Sequence, residues 1–152
     1  MGRAHVRAHG AFPPERFVAA LTDFGPGREE IFGDSDPRNL TVHDRGETWA
    51  EVTEGSAAGG VWQRLRYDWS VPDVVTLAVV DSNAFGPGSR WTYRLDPDGR
   101  GGTDIDLTVV RVPTNAKGRV LDALLSLGGG AYFARDLRRS LRRLESRSRT
   151  PS

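Results

Sequence analysis

The 152-residue chain contains no cysteine, which removes disulfides, thiolate metal ligands and a thiol nucleophile together. Lysine is almost absent as well: Lys117 stands alone against twenty arginines, at the start of a helical segment rather than on an apolar strand face. Schiff-base chemistry has no candidate there. No apolar run approaches the roughly 20 residues of a membrane span. The N-terminal Met-Gly-Arg-Ala-His-Val-Arg lacks the apolar stretch of a secretory signal and the Ser or Thr of a myristoylation pattern. A cytoplasmic location is therefore expected. Histidine is scarce, and His5 and His9 on one strand face stand about 13 Å apart. That is too far to share an ion whose bonds are about 2 Å, and His43 approaches them only across a strand pair. No metal site is expected. Neither a Gly-x-Ser-x-Gly elbow nor a glycine-rich phosphate loop occurs, so no cofactor is expected.

What is present describes a globular protein. Apolar residues make up 38% and charged residues 27%, proportions that suit one packed core. At this length one domain, 1–146, with a frayed Ser/Arg-rich tail over 147–152, is expected. The net charge of +1 conceals a gradient: residues 1–60 sum to −4, residues 61–113 to −1 and residues 114–152 to +6. The basic side chains belong to the C-terminal helix and are not interleaved with aromatics over a sheet face or loops. A nucleic-acid partner is not expected.

Along the chain, residues 4–10 alternate as a first strand. Pro14 opens a helix over 15–24, and a second short helix covers 28–32. From Leu40 to Val112 strand signals recur at intervals of about ten residues, the rhythm of an antiparallel meander. Residues 40–44 and 48–53 flank Arg45-Gly46-Glu47 as a hairpin. In 61–69, Val61, Gln63, Leu65, Tyr67 and Trp69 share a face. The strand from Val74 is apolar on both faces through Val80, which predicts cover on both sides. Trp91, Tyr93 and Leu95 share a face, as do Ile105, Leu107, Val109 and Arg111. The fold expected is α+β: a curved antiparallel sheet of seven strands, two short helices between strands 1 and 2, and one long C-terminal helix covering the sheet.

That helix cannot be a straight amphipathic rod. At about 100° per residue, Val120, Leu121, Leu124, Leu125 and Leu127 centre on one direction, and Phe133, Leu137, Leu141 and Leu144 roughly opposite. Gly128-Gly129-Gly130 lies between them, and each glycine costs about 1 kcal/mol inside a helix. A bend there reconciles the two faces, with the first half deep against a pocket; burial all round is the alternative.

The order of elements, with the Ala-Phe-Pro-Pro-Glu-Arg-Phe entry after the first strand and Asp81-Ser82-Asn83 ending a strand before Gly86-Pro87-Gly88, resembles the polyketide cyclase/dehydrase and lipid-transfer superfamily, also called SRPBCC or START-like. The resemblance spans nearly the whole chain. It implies a helix-grip fold, a curved sheet wrapped around the C-terminal helix, with a pocket for lipids, sterols or polyketides. It carries no universal catalytic residue.

Polar and aromatic residues on otherwise apolar faces are the candidates for a ligand site: Tyr67, Trp69, Asp81, Asn83, Trp91, Tyr93 and Arg111, with Tyr132 just past the glycines. Structural hydrogen bonds or strand ends near water, and core packing for the aromatics, are the alternatives. The expected partner is a hydrophobic or aromatic small molecule. A cyclase or dehydratase in the same pocket, with Asp81 and Tyr67 or Tyr93 as acid and base, is the second reading. Arg135, Arg138, Arg139, Arg142 and Arg143 oppose the leucines of the last helix. They are read as a solvated helix back that also suits the helix dipole, with contact to an anionic membrane as the alternative. Nothing in the sequence sets the oligomeric state.

Overall fold

The computed structural model describes residues 2–32, 37–55, 60–128 and 130–149. Strand β1 (Gly2–Gly10) is followed by α1 (Pro14–Leu21), α2 (Arg28–Ile31) and a 3-10 turn, Pro37–Asn39. Six strands follow: β2 (Thr41–Arg45), β3 (Trp49–Gly55), β4 (Trp62–Asp68), β5 (Val74–Ser82), β6 (Arg90–Pro97) and β7 (Thr103–Arg111). Helices α3 (Ala116–Leu127) and α4 (Ala131–Arg149) end the fold, α4 passing the boundary expected after 146. The seven strands form one antiparallel sheet in the order β1-β7-β6-β5-β4-β3-β2. Each strand from β2 to β7 pairs with its sequence neighbour, while α1 and α2 carry the chain from the β1 edge to the β2 edge.

One face of the sheet makes the core. Val6, Val52, Leu65, Tyr67, Val75, Leu77, Val79, Leu95, Ile105, Leu107 and Val109 are buried there. Phe17 and Leu21 of α1 and Phe133, Leu137, Leu141 and Leu144 of α4 pack against them in one cluster. The spacing of those α4 residues is that of one helix face, and arginines take the opposite one. The other face of β5 is less covered than its composition predicts: Val74, Thr76 and Ala78 are half-buried and Val80 is exposed. A single layer of helices leaves that face to solvent.

The C-terminal helix is interrupted at the glycines. Gly128 donates to the Leu125 carbonyl at 3.3 Å and Gly130 has φ +88°, so the α-helical ladder stops and restarts at Ala131. A left-handed φ of this kind suits glycine and strains other residues. Gly129 lies outside the described residues.

The first half does not sit deep against the sheet, a correction to the expected burial. Val120, Leu124 and Leu127 are 59%, 60% and 84% exposed, and Leu121 and Leu125 only half-buried. The side of α3 turned inward is taken up differently. Gly118 approaches so closely that a Cβ there would stand 2.0 Å from the Ala84 carbonyl oxygen. One turn on, Asp122 pairs with Arg111. A close backbone contact and an ion pair fix the helix rotation, and Val120, Leu124 and Leu127 face out.

Candidate functional site

The concave face supplies the first part of a candidate site. Trp91 of β6 stands opposite Leu77 and Val109, and Tyr93 opposite Val75 and Leu107. These four aliphatic neighbours are fully buried, whereas the two aromatic side chains, packed against the same core, are only partly so. Phe17 of α1 packs on Tyr93, ring centroids 5.5 Å apart. From α4, Asp136 acts on the same tyrosine. Burial and the Asp136 carboxylate together hold the Tyr93 hydroxyl well above the ordinary tyrosine range, so it is a neutral proton donor.

Arg111 ends β7 and is 2% exposed. Its Nε donates to Asp122 Oδ1 at 2.9 Å, its Nη2 to Ser126 Oγ at 3.1 Å, and the guanidinium lies 5.3 Å from the centre of the Phe133 ring. Nη1 is enclosed with no hydrogen-bond acceptor. This cluster joins the sheet to both α3 and α4, as the pairing expected of a buried arginine requires.

A second polar cluster sits deep on the far side, below α1 and α2. Arg28 donates through Nε to Glu54 Oε1 at 3.1 Å, through Nη2 to the Tyr67 hydroxyl at 3.0 Å, and through Nη1 to the carbonyls of Leu21 and Asp23 at 2.7 and 2.9 Å. The Tyr67 hydroxyl in turn donates to Glu54. Arg28 thereby satisfies carbonyls that the end of α1 leaves unpaired. Burial, then the Glu54 charge, push the Tyr67 hydroxyl far up. Tyr67 is 1% exposed and fully engaged, a structural arrangement rather than a free surface.

The remaining candidates scatter. Arg64 pairs with Asp81 but Leu65 with Val79, so Val80 forms a bulge. The bulge reverses parity, and Asp81 stands exposed on the Arg64 side instead of beside Val79. Asn83 is a staple: it donates to the Gly60 carbonyl at 2.7 Å and accepts from the Trp62 amide at 3.0 Å. Trp69 borders an open depression of about 420 Å³ between α1 and the β4–β5 turn, with Val18, Thr22 and Val71. Another, of about 710 Å³, is lined by Arg7, His9, Arg94, Asp96, Asp104 and Asp106 among others. Tyr132 is 47% exposed and meets Phe133 edge-on. No group of three or more potential ligands that could hold a metal ion occurs among the described residues, and no helix among them is long and apolar enough to cross a membrane.

Sequence reasoning missed Arg28, Glu54, Asp122, Ser126 and Asp136. Glu54 had a signal, since it shares parity with Ala50 and Val52, a charge on a buried face. Asp122 had one as well, lying at helical spacing between Gly118 and Leu125.

Comparison with solved structures reads this geometry as a whole. The Zhui aromatase/cyclase of a Streptomyces species superposes with a TM-score of 0.79 at 17% identity, over 97% of this chain and 96% of that one. A START superfamily protein of Mycobacterium smegmatis gives 0.71 at 10%, over 97% of both chains. Norcoclaurine synthase of Thalictrum flavum, in complex with dopamine and hydroxybenzaldehyde, gives 0.67 at 9%, over 98% and 88%. The chain has the START-like helix-grip fold. At these identities the likeness establishes the fold alone. Neither protein-family models nor curated proteins give a match.

Proposed function

We propose that this helix-grip protein binds a hydrophobic or aromatic small molecule between the concave sheet and the C-terminal helices. The observation that carries the reading is the residual exposure of Trp91 and Tyr93, only partly buried on a face where their aliphatic partners are fully buried. The aromatic surface still in contact with water on the inner side of a sheet gains from a ligand that covers it, at about 25 cal/mol per Å². Flat rings favour ring-bearing ligands. Arg111 is the polar end of the site, because its Nη1 lacks an acceptor that a ligand oxygen would supply once α3 yields. The fold shared with an aromatase/cyclase and a synthase bound to aromatic molecules agrees with this ligand class. Native mass spectrometry of freshly purified protein tests it: a hydrophobic adduct is expected, and its repeated absence together with no binding of aromatic probes rejects the reading.

The second reading is a cyclase or dehydratase in the same cleft. Asp136 favours it, since its carboxylate is close enough to act on the neutral Tyr93 hydroxyl, and the two are groups of the types that serve as base and acid. Asp136→Asn separates the two: binding survives in both, and turnover of a polyketide-like substrate disappears only if the site is catalytic.

A further inference from the structure

The outer side of α3 is a stripe of apolar side chains that no element of the fold covers. At about 100° per residue, Ala116, Val120, Ala123, Leu124 and Leu127 share one side, all exposed. Lys117 and Arg119 stand on its two edges, also exposed. The acidic residue of α3, Asp122, is turned inward onto Arg111. Tyr132, at the start of α4, adds an exposed aromatic beyond the stripe. Between 116 and 142 every exposed charged side chain is basic: Lys117, Arg119, Arg135, Arg138, Arg139 and Arg142.

We infer that α3 docks on an anionic lipid surface, lying in the interface with Val120, Leu124 and Leu127 entering the acyl boundary and Lys117 and Arg119 among the headgroups. A ridge one helix wide, aliphatic at its crest, cationic on its flanks and followed by a tyrosine, has the form of an interfacial helix. The charges select the occupant. A second copy of this chain would set one cationic helix pair against another, whereas an anionic bilayer meets the same field with opposite sign. The site differs from the arginine face of α4, which contributes attraction but no apolar area. Docking through α3 holds whether or not the cleft takes a ligand.

Vesicle co-sedimentation tests it, with phosphatidylglycerol/phosphatidylcholine vesicles against phosphatidylcholine alone at about 0.1 M salt, where screening acts over about 10 Å. The intact chain binds the anionic vesicles. Leu124→Glu with Leu127→Glu lowers that affinity about tenfold or more and leaves the melting temperature unchanged, because both side chains are already in water. Arg138→Glu with Arg139→Glu weakens binding less, and in proportion to the loss produced by added salt. Three results overturn the assignment: no binding to anionic vesicles, unchanged binding by the α3 variant, or a dimer in solution that the α3 variant dissociates.

Discussion

Arg111 Nε lies 2.9 Å from Asp122 Oδ1, and this buried pair ties the last strand to α3. Side-chain exposures of 2% and 14% leave little water to replace either partner. Arg111→Met strands the Asp122 carboxylate and is expected to cost about 3–5 kcal/mol in chemical denaturation. Arg111→Met with Asp122→Asn recovers a large part of that loss, since no buried charge is left unpaired. Equal losses in the single and double variants would mean that the ion pair is not what holds α3.

Gly118→Ala reverses an ordinary rule. Inside a helix the change normally stabilises by about 0.5–1 kcal/mol. Here the new methyl group would stand 2.0 Å from the Ala84 carbonyl oxygen, a backbone atom that cannot swing away. The variant is expected to be less stable than the parent, with faster amide exchange across α3 than across α4. A stabilised variant contradicts the close approach.

The cluster under α1 is fully satisfied, so removing one member leaves the others short. Tyr67→Phe deprives Arg28 Nη2 of an acceptor and Glu54 of a donor, at an expected cost of about 1–3 kcal/mol in thermal or urea unfolding. Arg28→Met also removes donors from Glu54 and from the carbonyls of Leu21 and Asp23, and is expected to cost more than Tyr67→Phe.

The pair of His9 and Asp98, 2.7 Å apart, gives a pH signature. The His9 hydrogen bond, with the amides of Arg100 and Gly102, lowers the Asp98 pKa to about 2. The Asp98 hydrogen bond raises that of His9. A depressed carboxylate stabilises above its unfolded value, near 3.9, and the contribution is lost as pH falls toward about 2. A raised histidine stabilises fully below its unfolded value, about 6.5, and the contribution is lost as pH rises through the folded one. The pair therefore contributes most between about pH 4 and 6.5. NMR titration of His9 checks it, with Asp98→Asn expected to lower its midpoint, and an unchanged midpoint would contradict the pairing.

The strands were legible because period-two alternation reports one buried face, and it held for β1, β4 and β7. It failed at Val80, where one extra residue turned Asp81 outward; a bulge depends on the pairing of two strands and leaves no mark in either alone. The break at the glycines was legible from the glycines themselves, which are costly in a helix interior; two helix faces competing for one sheet were not its cause, since Val120, Leu124 and Leu127 face solvent. The orientation of α3 was not, because an apolar stripe does not say whether a glycine contact and an ion pair have already claimed the inward side. Arg111 announced itself as a charge among Ile105, Leu107 and Val109, whereas its partners come from α3, where packing alone selects them.

The most direct test of the proposed ligand site is binding of an aromatic fluorescent probe, anilinonaphthalene sulfonate, followed by fluorescence titration of the parent chain, Trp91→Ala and Trp62→Ala. Trp62 is 39% exposed on the opposite side of the sheet from Leu65 and Tyr67 and serves as the control. The expected result is saturable one-to-one binding that Trp91→Ala weakens about tenfold and Trp62→Ala leaves unchanged. No saturable binding, or equal weakening by both substitutions, would contradict a ligand site built on Trp91 and Tyr93.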